Sequence, residues 1–134
     1  MELYRQYKFV IAFENSRAND YVTEKFYDPL LAGAVPIYLG APNIETFAPG
    51  ENCSVDIRNF SSPKELAAFL IEACKNEKIY NKFLQWKKEL LKPEFMKKIE
   101  AQRVHPFIRL CHLLHLPPPT SRYYGARKKN AHRS

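Results

Sequence analysis

YKFVIAFENSRANDYVTEKFYDPLLAGAVPIYLGAP, residues 7–42, decides the fold. Residues 7–13 are almost continuously apolar and rich in β-branched and aromatic side chains, the pattern of a parallel strand buried on both faces. The polar, turn-forming stretch ENSRAND follows. Asp20 is then placed to cap a helix over residues 21–32, with Gly33 just past its end. Pro29 falls inside that helix and predicts a kink or an early end. VPIYL, residues 35–39, reads as a second buried strand, closed by Gly40, Ala41 and Pro42.

Downstream, residues 53–57 suggest a third, weaker strand. Ser62, Pro63 and Glu65 combine a cap, a proline at the first helical position and the acid of a capping box. They predict a helix with Leu66, Phe69, Leu70 and Ala73 on one face. Two more helices are expected over residues 77–90, anchored by Tyr80, Phe83, Leu84 and Trp86, and over residues 94–104. Alternation of strand and helix implies a parallel sheet with right-handed crossovers, so the fold class is a Rossmann-like three-layer α/β/α domain. Residues 1–116 are expected to form that domain. Residues 117–134, Pro-rich and aperiodic, read as a disordered basic tail.

With 134 residues, 46% hydrophobic and 26% charged, the composition is that of a single globular domain. The net charge of +7 is concentrated in the tail, where five bases meet no acid; residues 1–116 carry only +2. A nucleic-acid-binding reading would rest on that tail alone, with Tyr123 and Tyr124 as its only stacking residues, and is set aside. The longest uncharged run, residues 29–44, is broken by prolines and glycines, so no membrane span is expected. The first ten residues lack the features of a signal peptide. Cys53, Cys74 and Cys111 are widely spaced, with no CxxC, which argues against a zinc site. Asn52-Cys53-Ser54 and Asn59-Phe60-Ser61 are N-glycosylation triplets.

Parallel sheets collect ligands beyond the carboxyl ends of their strands. Here that place is the loop over residues 14–19 and the helix start that follows, where free N–H groups and the helix dipole favour phosphate. Neither a GxGxxG nor a GKT motif is present, which excludes dinucleotide and P-loop machinery. At 100° per residue, Tyr21, Glu24, Lys25 and Asp28 share one side of the helix, and Val22, Phe26, Pro29 and Leu30 the other. Lys25 is suited to clamp a diphosphate, and Glu24 to accept from two ribose hydroxyls. The same pattern also fits an ordinary solvated helix face. Glu14 follows a strand at the ligand-proximal end, where it can either serve the ligand or bind loop N–H groups. Arg17 is a further phosphate candidate, and His105 and His112, set among apolar residues, read as packing or surface histidines.

Residues 13–45 closely resemble the signature motif of the α1,3-fucosyltransferases, glycosyltransferase family 10. Phe13-Glu14-Asn15, the run Asp20-Tyr21-Val22-Thr23-Glu24-Lys25, Gly33, Val35-Pro36 and Gly40 carry the likeness. Tyr80, Phe83, Trp86 and Lys87 resemble that family's next landmark. The resemblance implies the C-terminal, nucleotide-sugar half of a GT-B enzyme. Such enzymes transfer fucose with inversion from GDP-β-L-fucose to the 3-hydroxyl of N-acetylglucosamine in glycoprotein or glycolipid glycans. It further implies that Glu24 holds the GDP ribose, that Lys25 neutralises the diphosphate, and that Asn15 and Tyr21 bond phosphate or fucose oxygens. No metal or other cofactor is implied. Cys111 lies where the family often has a cysteine pair, but Ile108 stands in place of the partner.

The general base, the acceptor pocket, a phosphate-binding arginine and a Golgi membrane anchor belong to the family's N-terminal part. This chain is therefore expected to be a fragment that supplies the donor site of a Golgi-lumenal enzyme and is inactive alone. A non-catalytic GDP-sugar-binding remnant or partner-binding module is the alternative.

Overall fold

In the computed structural model, which describes residues 2–103 and 113–114, the first apolar run forms β1, Phe9–Phe13. VPIYL forms β2, Val35–Leu39, and a two-residue β3, Val55–Asp56, follows. All three strands are parallel, in the order β1-β2-β3. Phe9 lies opposite Val35, Phe13 opposite Leu39, and Ile37 opposite Val55. β2 is central and four of its five residues are buried. The expected double burial does not extend to β1, which lies at the sheet edge. Ala12 is buried there, while Ile11 is 68% and Phe13 41% exposed.

The crossover from β1 to β2 is helix α1, Glu24–Ala32. It begins three residues later than the 21–32 span expected from sequence, because Thr23 and not Asp20 is its N-cap. Asp20 instead holds a left-handed φ of 64°, a conformation Asn and Asp tolerate better than most residues. The helix runs on through Pro29 without an early end, and Gly33 closes it in the left-handed region at φ 96°. Only glycine takes that conformation without a Cβ penalty.

Because side chains alternate along a strand, one sheet face carries Ala12 and Tyr38 and the other carries Phe9. Phe26 of α1 packs edge-on against Tyr38, with ring centres 5.2 Å apart, and both residues are fully buried. Phe9 meets Tyr80 and Phe83 at 5.5 and 6.3 Å. Helix, sheet and helix are thus stacked in three layers, the fold class expected from sequence.

The remaining helices are α2 at Pro63–Lys75, α3 at Glu77–Lys82 and α4 at Pro93–Arg103. In α2, Leu66, Phe69 and Leu70 are partly buried and Ala73 wholly so, the face expected. Ser62 Oγ accepts from Glu65 N at 3.2 Å. The Glu65 carboxylate reaches one residue further back than a capping box requires, accepting from Ser61 N at 2.8 Å.

The long helix expected over residues 77–90 is broken. α3 ends at Lys82 and a 3-10 turn covers Gln85–Lys88. Phe83, packed on Phe9 and Phe69 with ring centres 6.3 and 6.1 Å apart, stands where α3 stops, and Trp86 lies in the 3-10 turn that follows. Trp86 lies so close to Gly50 that a Cβ there would fall 2.4 Å from its own Cβ.

Residues through Lys98 belong to one compact unit and the second begins at Ile99. Val104, the expected end of the last helix, and Cys111, Ile108, His105, His112 and the tail over residues 117–134 lie outside the described residues. Among the described residues no helix is long and apolar enough to cross a membrane.

Candidate functional site

β1 ends at Phe13, and the sequence turns polar at Glu14 because the chain there leaves the sheet. Glu14 N still donates to Leu39 O at 2.8 Å, extending the ladder by one bond. Its side chain turns toward the start of α1. There Oε1 accepts from Thr23 N at 2.8 Å and Oε2 from Thr23 Oγ1 at 2.7 Å. Thr23 Oγ1 in turn accepts from Lys25 N at 3.3 Å. Of the two roles open to Glu14 from sequence, the structure places it on the loop, fixing the helix cap.

Asn15 and Lys25, two of the residues that the resemblance assigns to the donor pocket, come together. Lys25 Nζ donates to Asn15 Oδ1 at 2.7 Å. Among the described residues no carboxylate lies within ion-pair distance of that ammonium; the two recorded ion pairs, Arg58–Asp56 and Lys92–Glu51, lie elsewhere. A half-buried lysine held by a neutral amide keeps its full charge available for an anion. Glu24 is exposed in the first turn of α1. Tyr21 is 39% exposed and lies outside the helix, so it does not share a helical face with Glu24 and Lys25. Arg17 is likewise exposed on the loop.

The free N–H groups expected at the helix start are largely engaged. Tyr21 N donates to Ala18 O, Val22 N to Asp20 O and Phe26 N to Thr23 O. Thr23 N and Lys25 N are taken by Glu14 and Thr23. The positive field for an anion therefore comes from the Lys25 ammonium and the aligned dipole of α1 more than from open backbone donors.

Two features of the site lie beyond the sequence reading. Asp20 and Asn43 bond reciprocally, Asp20 N to Asn43 Oδ1 at 3.0 Å and Asn43 Nδ2 to Asp20 Oδ1 at 2.9 Å. This clasp ties the loop after β1 to the loop after β2 across 23 residues, a separation that leaves no local signal. Gly40 is the second feature. A Cβ there would fall 2.4 Å from Tyr38 Oη and 2.5 Å from Glu14 Cγ. Tyr38 Oη accepts from Ala41 N at 2.9 Å, and burial pushes the phenol's pKa up. Gly40 thus lets the buried tyrosine and the capping glutamate pass side by side.

Beside this clasp, beyond the carboxyl ends of β2 and β3, lies a polar groove of about 470 Å³. Asp56, Arg58, Glu51 and Lys92 are among its lining residues. Among the described residues no three His, Cys, Asp or Glu side chains gather as a metal site. Among the described residues, Cys53 and Cys74 form no disulfide.

A family model described as the C-terminal part of glycosyltransferase family 10 (fucosyltransferase) matches residues 1–129. GDP-fucose protein O-fucosyltransferase 3 of Xenopus tropicalis is 49% identical over 82 residues, 61% of this chain and 17% of that protein. The human protein of the same name is 40% identical over 82 residues, with the same coverage. A fucosyltransferase-like protein of Arabidopsis thaliana is 39% identical over 111 residues, 83% of this chain and 22% of its own length. Crystal structures of an α1,3-fucosyltransferase with GDP-fucose and with GDP each superpose at a TM-score of 0.54 and 29% identity. Each covers 60% of this chain and 23% of the larger one. The chain thus spans about a fifth of the length of these relatives. With a family match over residues 1–129 and a three-stranded parallel sheet between helical layers, the chain belongs to the fucosyltransferases of glycosyltransferase family 10, within their C-terminal region.

Proposed function

We propose that this chain supplies the donor site of an inverting fucosyltransferase that uses GDP-β-L-fucose. One observation carries the reading: Lys25 Nζ, bonded to Asn15 Oδ1 at 2.7 Å, has no carboxylate counterion among the described residues and lies at the N-terminal end of α1. In fucosyl transfer the bond between fucose C1 and the β-phosphate oxygen breaks, and negative charge develops on the departing diphosphate. An ammonium and a helix dipole aimed at that charge stabilise the transition state more than the ground state. In this scheme Lys25 meets the diphosphate, and Asn15 orients Lys25 and bonds an oxygen of phosphate or fucose. Glu24 accepts from the ribose hydroxyls, and Tyr21 reaches toward the sugar from the loop. No metal ion is assigned a role.

The acceptor oxygen attacks C1 from the face opposite the diphosphate. The base that takes its proton and the acceptor pocket are assigned to other parts of the full-length protein, which acts in the Golgi lumen. The family resemblance favours the 3-hydroxyl of N-acetylglucosamine as acceptor. The 40–49% identity to proteins named as protein O-fucosyltransferases favours a hydroxyl of a protein side chain as a second reading.

Calorimetry with GDP on the full-length protein tests the donor site. Lys25→Ala is expected to weaken binding about tenfold to a hundredfold, the loss of one charge-assisted contact. Equal affinity in the variant would overturn the site. Fucosyl transfer assayed in parallel on an N-acetylglucosamine acceptor and on a protein acceptor separates the two readings. GDP binding with no transfer to either would favour a non-catalytic module.

A further inference from the structure

The two N-glycosylation triplets play no part in the donor site, and the fold brings them together. Asn52 and Asn59 are both exposed, and both line the groove beyond β2 and β3. Asn52 holds a left-handed φ of 50° in a turn, while Cys53 beside it is only 2% exposed. The turn therefore sends the thiol inward and leaves the amide in water. Asn59 ends the 3-10 turn Ile57–Asn59. That turn is pinned by Asp56 Oδ1, which accepts from Arg58 N at 2.9 Å, and by the Arg58 guanidinium folded back on the same carboxylate. Phe60 then packs on Phe69 of α2 with ring centres 5.3 Å apart. In both triplets the middle residue is the one drawn toward the protein and the asparagine is the one left outside.

We propose that Asn52 and Asn59 are acceptor sites for N-linked glycans. The inference rests on the reading of the full-length protein as a Golgi-lumenal fucosyltransferase, which would pass through the compartment where such glycans are added. The co-reactant is a lipid-diphosphate-linked oligosaccharide. The asparagine Nδ2 bonds to C1 of its terminal N-acetylglucosamine as the C1–O bond to phosphate breaks. The lipid diphosphate leaves with the electron pair, and the amide proton passes to a base.

The two sites differ in timing. In the folded chain Ser61 Oγ donates to Glu65 Oε2 at 2.5 Å and Ser61 N to the same oxygen at 2.8 Å. The hydroxyl that marks Asn59 as an acceptor is thereby engaged once α2 has formed, so transfer at Asn59 precedes that step. No such bond engages Ser54 among the described residues.

The test is expression of the full-length protein in eukaryotic cells, with release by a peptide N-glycosidase, an amidase that cleaves the Cγ–Nδ2 bond of the glycosylated asparagine, and mass spectrometry of the two peptides. Each of Asn52→Gln and Asn59→Gln is expected to remove one glycan, and the double variant both. Peptides from the released protein should carry aspartate at positions 52 and 59. Unmodified asparagine at either position in protein recovered from the secretory pathway overturns that site, and protein that never enters the pathway overturns both. GDP binding measured on the same samples is expected to be unchanged, since neither residue belongs to the Asn15–Lys25 site. Empty asparagines with GDP binding intact would sink this inference alone. Glycans without GDP binding would sink the donor reading instead.

Discussion

At the scale of single residues, the site depends on what Lys25 is allowed to face. A neutral amide at 2.7 Å holds its ammonium in place and leaves its charge unspent. Replacing Asn15 with Asp would put a carboxylate there, a partner that competes with a diphosphate for the same cation. Asn15→Asp is accordingly expected to lower GDP affinity by about tenfold, with a smaller loss at high salt, since an exposed ion pair is worth about 1 kcal/mol and is screened. Calorimetry at two ionic strengths reads this directly, and an unchanged affinity would mean that the diphosphate does not meet Lys25. Gly40 is a packing test of the same neighbourhood. A methyl group there collides with Tyr38 Oη and Glu14 Cγ at 2.4 and 2.5 Å. Gly40→Ala should cost about 1–3 kcal/mol by overpacking, read as a lower denaturant midpoint at constant slope.

At the scale of elements, the helix that presents the site starts where a contact distant in sequence tells it to. Both Asp20 and Thr23 have the chemistry of an N-cap, and local preference alone does not choose between them. The choice falls to Glu14, nine residues upstream, which bonds both the N–H and the hydroxyl of Thr23. Thr23→Ala removes the cap oxygen and one of these bonds. It should destabilise the fold by about 1–2 kcal/mol, whereas Asp20→Ala should leave helix content by circular dichroism unchanged. What the sequence made legible follows the same division. β2, Gly33 and the Ser62–Pro63 start of α2 are set by local chemistry and appear as expected. The break after Lys82 is set by Phe9 and Gly50, which lie far away in the chain. For the site, the motif named Asn15 and Lys25, but their bond to each other was not stated by it. The Asp20–Asn43 clasp and the exit of Tyr21 from the helix were not legible either, because the first depends on the loop after β2 and the second on the Glu14 contact that moves the cap to Thr23.

At the scale of the whole fold, α1, β2 and the loop after β2 share one aromatic core in which two phenols and a thiol are withheld from water. Tyr27 Oη donates to Phe47 O at 3.3 Å, and burial pushes its pKa from 10.0 to about 12. Burial likewise pushes the Cys53 thiol from 9.0 to about 11. Both groups therefore keep their protons longer in the native chain than in the unfolded one. The sign follows: below pH 9 neither group discriminates between the two states, and their contribution to stability is complete. As pH rises the unfolded chain sheds the thiol proton first and then the phenol proton, and stability falls through about pH 11 for Cys53 and about pH 12 for Tyr27. Denaturant midpoints measured across this window should decline steeply. The decline above pH 10 should be shallower in Tyr27→Phe, which has no phenol to ionise but starts about 1 kcal/mol lower for want of the bond to Phe47. Lysines that deprotonate in the same range affect both proteins alike, so the difference between the two curves isolates Tyr27. Parallel curves would mean that water reaches the phenol and that the contact between α1 and the loop after β2 opens readily, and the loop carrying Asn43 would then be a weak support for the donor site.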